Sequence, residues 1–154
     1  SLYQDLTVEE NLAFFATVFH TTIEENYHLI ADMYRQIEPF KHRKAGKLSG
    51  GMKQKLALSC ALIHKPSVLF LDEPTLGLDV LARRELWKII RSLKGKVTII
   101  LTTHYLEEAE ALCDKVAIMA KGEVLAAGTP EELKISAGTE NFEDAFVKIT
   151  EGDL

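Results

Sequence analysis

Val68-Leu69-Phe70-Leu71-Asp72-Glu73-Pro74 is the stretch on which the fold turns. Four consecutive apolar residues, entered from Pro66-Ser67 and stopped by an acidic pair and a proline, read as a short buried strand ending in two carboxylates. Downstream, Lys96 to Thr102 is a β-branched run ending in Thr103-His104; between the two runs Leu86, Ile89, Ile90 and Leu93 recur at helical spacing until Gly95 closes the segment. Strand, helix, strand with both strands buried is the pattern of a parallel sheet, so the expected class is α/β.

Toward the N-terminus the pattern becomes helical. Thr7 with Glu10 and Thr22 with Glu25 both fit the S/T-x-x-E capping box and predict helices over about Val8 to Val18 and Ile23 to Ile37. Pro39 and Gly46 break the periodicity, and a third helix is expected from Gly50 to His64, with Met52, Leu56, Cys60 and Ile63 as its apolar stripe. Toward the C-terminus, Tyr105 to Cys113 reads as a helix. Lys115 to Ala120 and Glu123 to Ala127 read as a hairpin about Lys121-Gly122, and Thr129-Pro130 and Asn141 start two final helices. The expected organisation is a helical subdomain over 1–65, an α/β part over 66–128 and a helical tail over 129–154.

The chain has 154 residues, 47% hydrophobic and 27% charged, enough for a packed core and ordinary for a globular domain. A net charge of -5 argues against nonspecific binding to nucleic acid, and the basic run Lys41 to Lys44 reads as a solvated stretch before the third helix. Cys60 and Cys113 lack the spacing of a redox or zinc site and read as buried free thiols in a reducing compartment, hence a cytoplasmic location. The longest apolar runs fall far short of the roughly 20 residues that span a bilayer, so any membrane connection is expected through a partner.

Ligands of parallel α/β sheets sit beyond the carboxyl ends of the strands, where Asp72, Glu73 and His104 all fall. Neighbouring residues at a strand end point in different directions, so Asp72 could face a metal held on a phosphate while Glu73 orients or deprotonates an attacking water. His104 could donate a hydrogen bond to a phosphate oxygen and report whether that phosphate is present. Ser49-Gly50-Gly51 opens the third helix, where residues without Cβ let backbone N–H groups approach a phosphate. Each feature also has a plainer reading: a turn after a buried strand, a packing histidine, a helix start capped by Ser49.

Taken in order, these segments resemble the ATP-binding subunit of ABC transporters. Leu48-Ser49-Gly50-Gly51-Met52 is similar to the family signature, Val68 to Pro74 to its Walker B strand and catalytic glutamate, Leu76-Gly77-Leu78-Asp79 to its D-loop, and Thr103-His104 to its switch histidine. The segment from Leu2 to Leu12 resembles the stretch after the family's Q-loop. Met52 and Tyr105 to Glu110 resemble the subgroup exporting drugs, polysaccharides or ions. The resemblance implies a P-loop NTPase-type, partly parallel sheet; ATP and Mg2+ as cofactors; Glu73 and His104 as catalytic residues; Asp72 toward the metal; and Ser49, Gly50, Gly51 and Asp79 toward nucleotide.

No GxxxxGK[ST] loop occurs in the chain: Gly46-Lys47 and Gly95-Lys96 lack both the earlier glycine and the following Ser or Thr, and Gln4 does not match the family's Q-loop position. The phosphate loop and the Q-loop are therefore expected upstream of Ser1, making this the C-terminal portion of the subunit, inactive alone. The resemblance further implies a head-to-tail dimer with a second nucleotide-binding subunit, a transmembrane permease partner, and a peripheral position on the inner face of the cell membrane. A sheet missing strands has open edges, so the chain is also expected to self-associate. Two rival readings are a soluble ABC-type ATPase acting on ribosomes or DNA and a non-catalytic interaction module.

Overall fold

Two capping boxes start the first two helices. In α1 (Val8–Val18) the Glu10 carboxylate accepts from the Thr7 N–H at 2.7 Å while the Thr7 hydroxyl accepts from the Glu10 N–H at 3.2 Å; Thr22 and Glu25 repeat the exchange at the head of α2 (Ile23–Tyr34). Hydrogen bonds from Thr7 hold the Glu10 carboxyl below its usual range. The helix α1 has the bounds the sequence predicts, whereas α2 stops three residues before Ile37, which turns inward and is fully buried just ahead of a 3-10 turn at Glu38–Phe40. A buried Asn11 ties the entering segment to α1: its amide donates to the carbonyls of Tyr3 and Thr7 at 2.9 Å and of Leu6 at 3.3 Å, and its carbonyl accepts from the Tyr3 N–H.

The computed structural model describes residues 2–152, with one compact unit ending at Ile100 and a second beginning at Leu101. In the first unit α3 (Gly50–Leu62) is the central element, packed against α1, α2 and α4 (Val80–Leu93). Its burial is wider than the predicted stripe, because it has neighbours on several sides: Lys55, Leu58, Ser59 and Leu62 are buried with Leu56 and Cys60. At its exit Asn26 donates to the Ile63 carbonyl at 2.7 Å.

The strands β1 (Val68–Asp72) and β2 (Thr98–Thr102) lie side by side, connected through α4. The Thr98 N–H donates to the Ser67 carbonyl at 3.0 Å, so the starts of the two strands adjoin and they run the same way, as a helical crossover requires. One expectation fails: the strands are not buried on both faces. Leu69 is buried, but Val68 and Ile100 are exposed and Phe70 is 73% exposed, because one face of the pair is covered and the other open.

The second unit holds α5 (Leu106–Leu112), β3 (Val116–Ala120), β4 (Glu123–Gly128), α6 (Pro130–Ala137) and α7 (Phe142–Glu151). The hairpin β3–β4 is antiparallel and turns on Lys121-Gly122, whose φ values of 52° and 83° suit the two-residue loop that matches strand twist. Ala109, Ile118, Leu133, Ala137, Phe142, Ala145 and Ile149 form its core. Among the described residues no helix is long and apolar enough to cross a membrane.

Beside the end of α3, His64 stacks on Phe19 with ring centroids 3.8 Å apart, and its buried Nδ1 has no hydrogen-bond partner. Burial lowers its pKa, whereas the unfolded chain titrates near 6.5. As the pH falls below about 6.5 the unfolded state takes up the proton first, so stability present above that pH is lost through the depressed folded value. His64→Phe is expected to shrink the drop in urea midpoint between pH 7.5 and 5.5; an unchanged drop would show that the loss arises elsewhere. Burial also pushes the Cys60 thiol up to about 12, which suits an inert core thiol.

Candidate functional site

Ser49-Gly50-Gly51 and the loop before α4 meet at the N-terminal ends of two packed helices. Ser49 caps α3, its hydroxyl accepting from the Met52 N–H at 3.3 Å. Asp79 caps α4, one carboxylate oxygen accepting from the N–H groups of Leu81 and Ala82, both at 2.9 Å. Between them, a Cβ on Gly50 would lie 3.1 Å from Leu78 Cδ2, and one on Gly51 would lie 3.2 Å from Ala82 Cβ. The glycines thus serve a close approach of α4 as well as an open backbone. Gly51 is the stricter position, because the Ala82 methyl cannot rotate away.

Both helices therefore present their N-termini at one edge, where helix dipoles favour anions. Asp79 is exposed and already spends one oxygen on α4, whereas Ser49 is neutral and leaves the α3 terminus open to a phosphate. Leu78, buried behind the glycines, and Ala82 are the supporting residues the sequence reading missed; their spacing of four from the D-loop into α4 was the available signal.

Asp72 ends β1 and is exposed; Glu73, half-buried, follows it with φ 47°, in the left-handed region that non-glycine residues avoid. The turn is held by the Leu76 N–H on the Glu73 carbonyl and the Leu78 N–H on the Thr75 carbonyl, both 3.1 Å, and Gly77 supplies a further positive φ of 75°. Such a conformation costs on the order of 1–3 kcal/mol. His104 stands in the second unit, two residues beyond β2; its exposed ring lies 4.2 Å, centroid to centroid, from that of Tyr105, whose N–H donates to Thr103 Oγ1 at 3.0 Å.

Among the described residues no three His, Cys, Asp or Glu side chains gather into a metal cage. Mg2+ is commonly held by one or two carboxylates completed by water and phosphate oxygens, and the exposed Asp72 at the end of β1 would be able to offer one. The α3 terminus fits a phosphate in the same sense.

A family model described as "AAA domain, putative AbiEii toxin, Type IV TA system" matches residues 28–108, just over half of the chain. The chain is 40% identical over 157 aligned residues to the probable multidrug ABC transporter ATP-binding protein YbhF of Escherichia coli (strain K12), covering 97% of this chain and 27% of that protein. It is 44% identical over 137 residues to the Nod factor export ATP-binding protein I of Burkholderia orbicola (strain AU 1054), covering 86% of this chain and 45% of the relative. The chain thus spans between about a quarter and a half of the length of these curated relatives. Among solved structures, one described as the ATP binding subunit of an ABC transporter superposes with a TM-score of 0.84 at 32% identity, over 97% of this chain and 65% of the other. CbiO1 from Clostridium perfringens, part of the ABC transporter complex cbiONQ, superposes with a TM-score of 0.73 at 29% identity, over 88% of this chain and 55% of the other. The fold is the α/β fold of the P-loop ATPases, and the chain belongs to the ATP-binding proteins of ABC transporters.

Proposed function

We propose that this chain is the portion of an ABC transporter ATPase subunit that responds to bound ATP, in an export-type transporter like those named for its relatives. In this reading the helical subdomain is 1–65, the α/β catalytic part 66–128 and the C-terminal tail 129–154. Glu73 orients or deprotonates the attacking water, Asp72 faces Mg2+ on the phosphates, and His104 senses the γ-phosphate. Ser49, Gly50 and Gly51, with Asp79, face a nucleotide held by a second subunit. The observation that carries the reading is the shared edge of α3 and α4: two helix N-termini, held together by contacts at Gly50 and Gly51, present four of the assigned residues on one side.

Closure of two such subunits over ATP drives an attached permease from the inner face of the membrane. The chain carries no GxxxxGK[ST] loop to grip the phosphates, so by itself it hydrolyses ATP little or not at all. Phosphate release and nucleotide affinity measured on the purified chain with Mg-ATP test this; micromolar binding or steady turnover would reject it. The open sheet face at Val68, Phe70 and Ile100 further supports self-association of the isolated chain. Sedimentation at high concentration should show dimers or larger species, and a strict monomer would count against that assignment.

A further inference from the structure

Lys55 lies one turn into α3 with its side chain only 11% exposed, an unusual place for an ammonium unless it is paired. Its Nζ donates to Gln36 Oε1 just past the end of α2 and to Glu85 Oε2 on α4, both at 2.7 Å. Gln36 is itself tethered, its Nε2 donating to the Asp32 carbonyl at 3.1 Å. One side chain therefore ties α3 to α4 and to the segment that leaves α2.

Its position along the α3–α4 seam gives this junction a use. Gly50 meets Leu78 in the loop before α4, Gly51 meets Ala82 in its first turn, and Lys55, one turn beyond the glycines, meets Glu85 one turn further along α4. Apolar contact along such a seam is non-directional and would hold the helices together at more than one register. Two short charge-assisted bonds from a nearly buried ammonium, one to the tethered Gln36 and one to the outward Glu85, are directional and select one register. The register matters because Ser49 and Asp79 cap the two helices at the same end, so a slip along the seam would separate them.

We propose that Lys55 is a positioning residue which, through Glu85 and Gln36, fixes the register of α3 on α4 and so the relative placement of Ser49 to Gly51 and Asp79 toward the second subunit's nucleotide. The proposal rests on the function given above for those residues.

The test uses the complete subunit with Lys55→Met and Lys55→Arg, read by steady-state ATP hydrolysis and by amide hydrogen exchange at the starts of α3 and α4. Methionine keeps the length and apolar stem, and Glu85 is left well hydrated with its side chain 58% exposed, so the fold and melting temperature are retained. K55M is expected to lower kcat by up to about 10²-fold, the scale of an ångström-level misplacement, with KM for ATP little changed. Exchange at both helix starts should quicken by about tenfold or more, and K55R should restore both readouts. A folded K55M with unchanged exchange overturns the proposal, as does failure of K55R to recover it. Quickened exchange in K55M, with a wild-type subunit that itself hydrolyses no ATP, would instead overturn the functional reading and leave the register role standing.

Discussion

Glu73→Gln in the complete subunit lowers ATP turnover by roughly 10²- to 10⁴-fold, the range a general base contributes, while leaving the protein folded. Glutamine keeps the size and one acceptor oxygen of the side chain but cannot take a proton from water at neutral pH. The backbone makes Glu73 the residue to test rather than Asp72. At the strand end Asp72 retains β geometry, whereas Glu73 enters the left-handed region at φ 47° and is locked there by the two turn hydrogen bonds onto the Glu73 and Thr75 carbonyls. Strain held at one residue by its surroundings is how a fold aims a side chain it could otherwise point elsewhere. Steady-state phosphate release checks this, and turnover equal to wild type would remove Glu73 from the base role.

Leu56→Ala destabilises the first unit by about 2–5 kcal/mol, a large share of the roughly 5–15 kcal/mol that holds a domain folded. Leu56 is fully buried in α3, the helix that packs on α1, α2 and α4 together, so no single neighbour can close the space its truncation leaves. The effect reaches function through position: the same helix carries Ser49 at its N-terminus and Lys55 on its α4 seam. Urea unfolding of the two chains measures the difference, and a loss below about 1 kcal/mol would mean that α3 is not the centre of its unit.

What could be read from the residues follows from how local the determinant is. The helix α1 was legible to the residue because Thr7 and Glu10 satisfy each other's backbone groups within four positions. The hairpin was legible because Lys121-Gly122 must take positive φ at two successive residues. The end of α2 was not, since Ile37 continues the helical period in sequence yet is buried from a turn outside the helix. The open face at Phe70 escaped for a related reason: a run of four apolar residues looks the same whether both faces of a strand are covered or only one.

At the candidate site, Ser49, Gly50, Gly51, Asp72, Glu73, Asp79 and His104 are proposed from the sequence because each belongs to a short ordered segment. What each does locally needed coordinates. The glycines turned out to meet Leu78 and Ala82, some thirty residues away, and Asp79 to spend an oxygen on two backbone N–H groups. Lys55 stands where much of the family has an Arg, but its burial gave no signal, because a lysine one turn inside an amphipathic helix reads as solvated until its partners Gln36 and Glu85 are in place.

The proposed function has this chain carrying the residues that act on ATP without those that grip it. Its most direct test is phosphate release from Mg-ATP by the purified chain, side by side with the complete subunit under the same conditions. The account predicts steady turnover by the complete subunit, lost in its Glu73→Gln variant, and none above background for the chain alone. Steady turnover by the chain alone would contradict it.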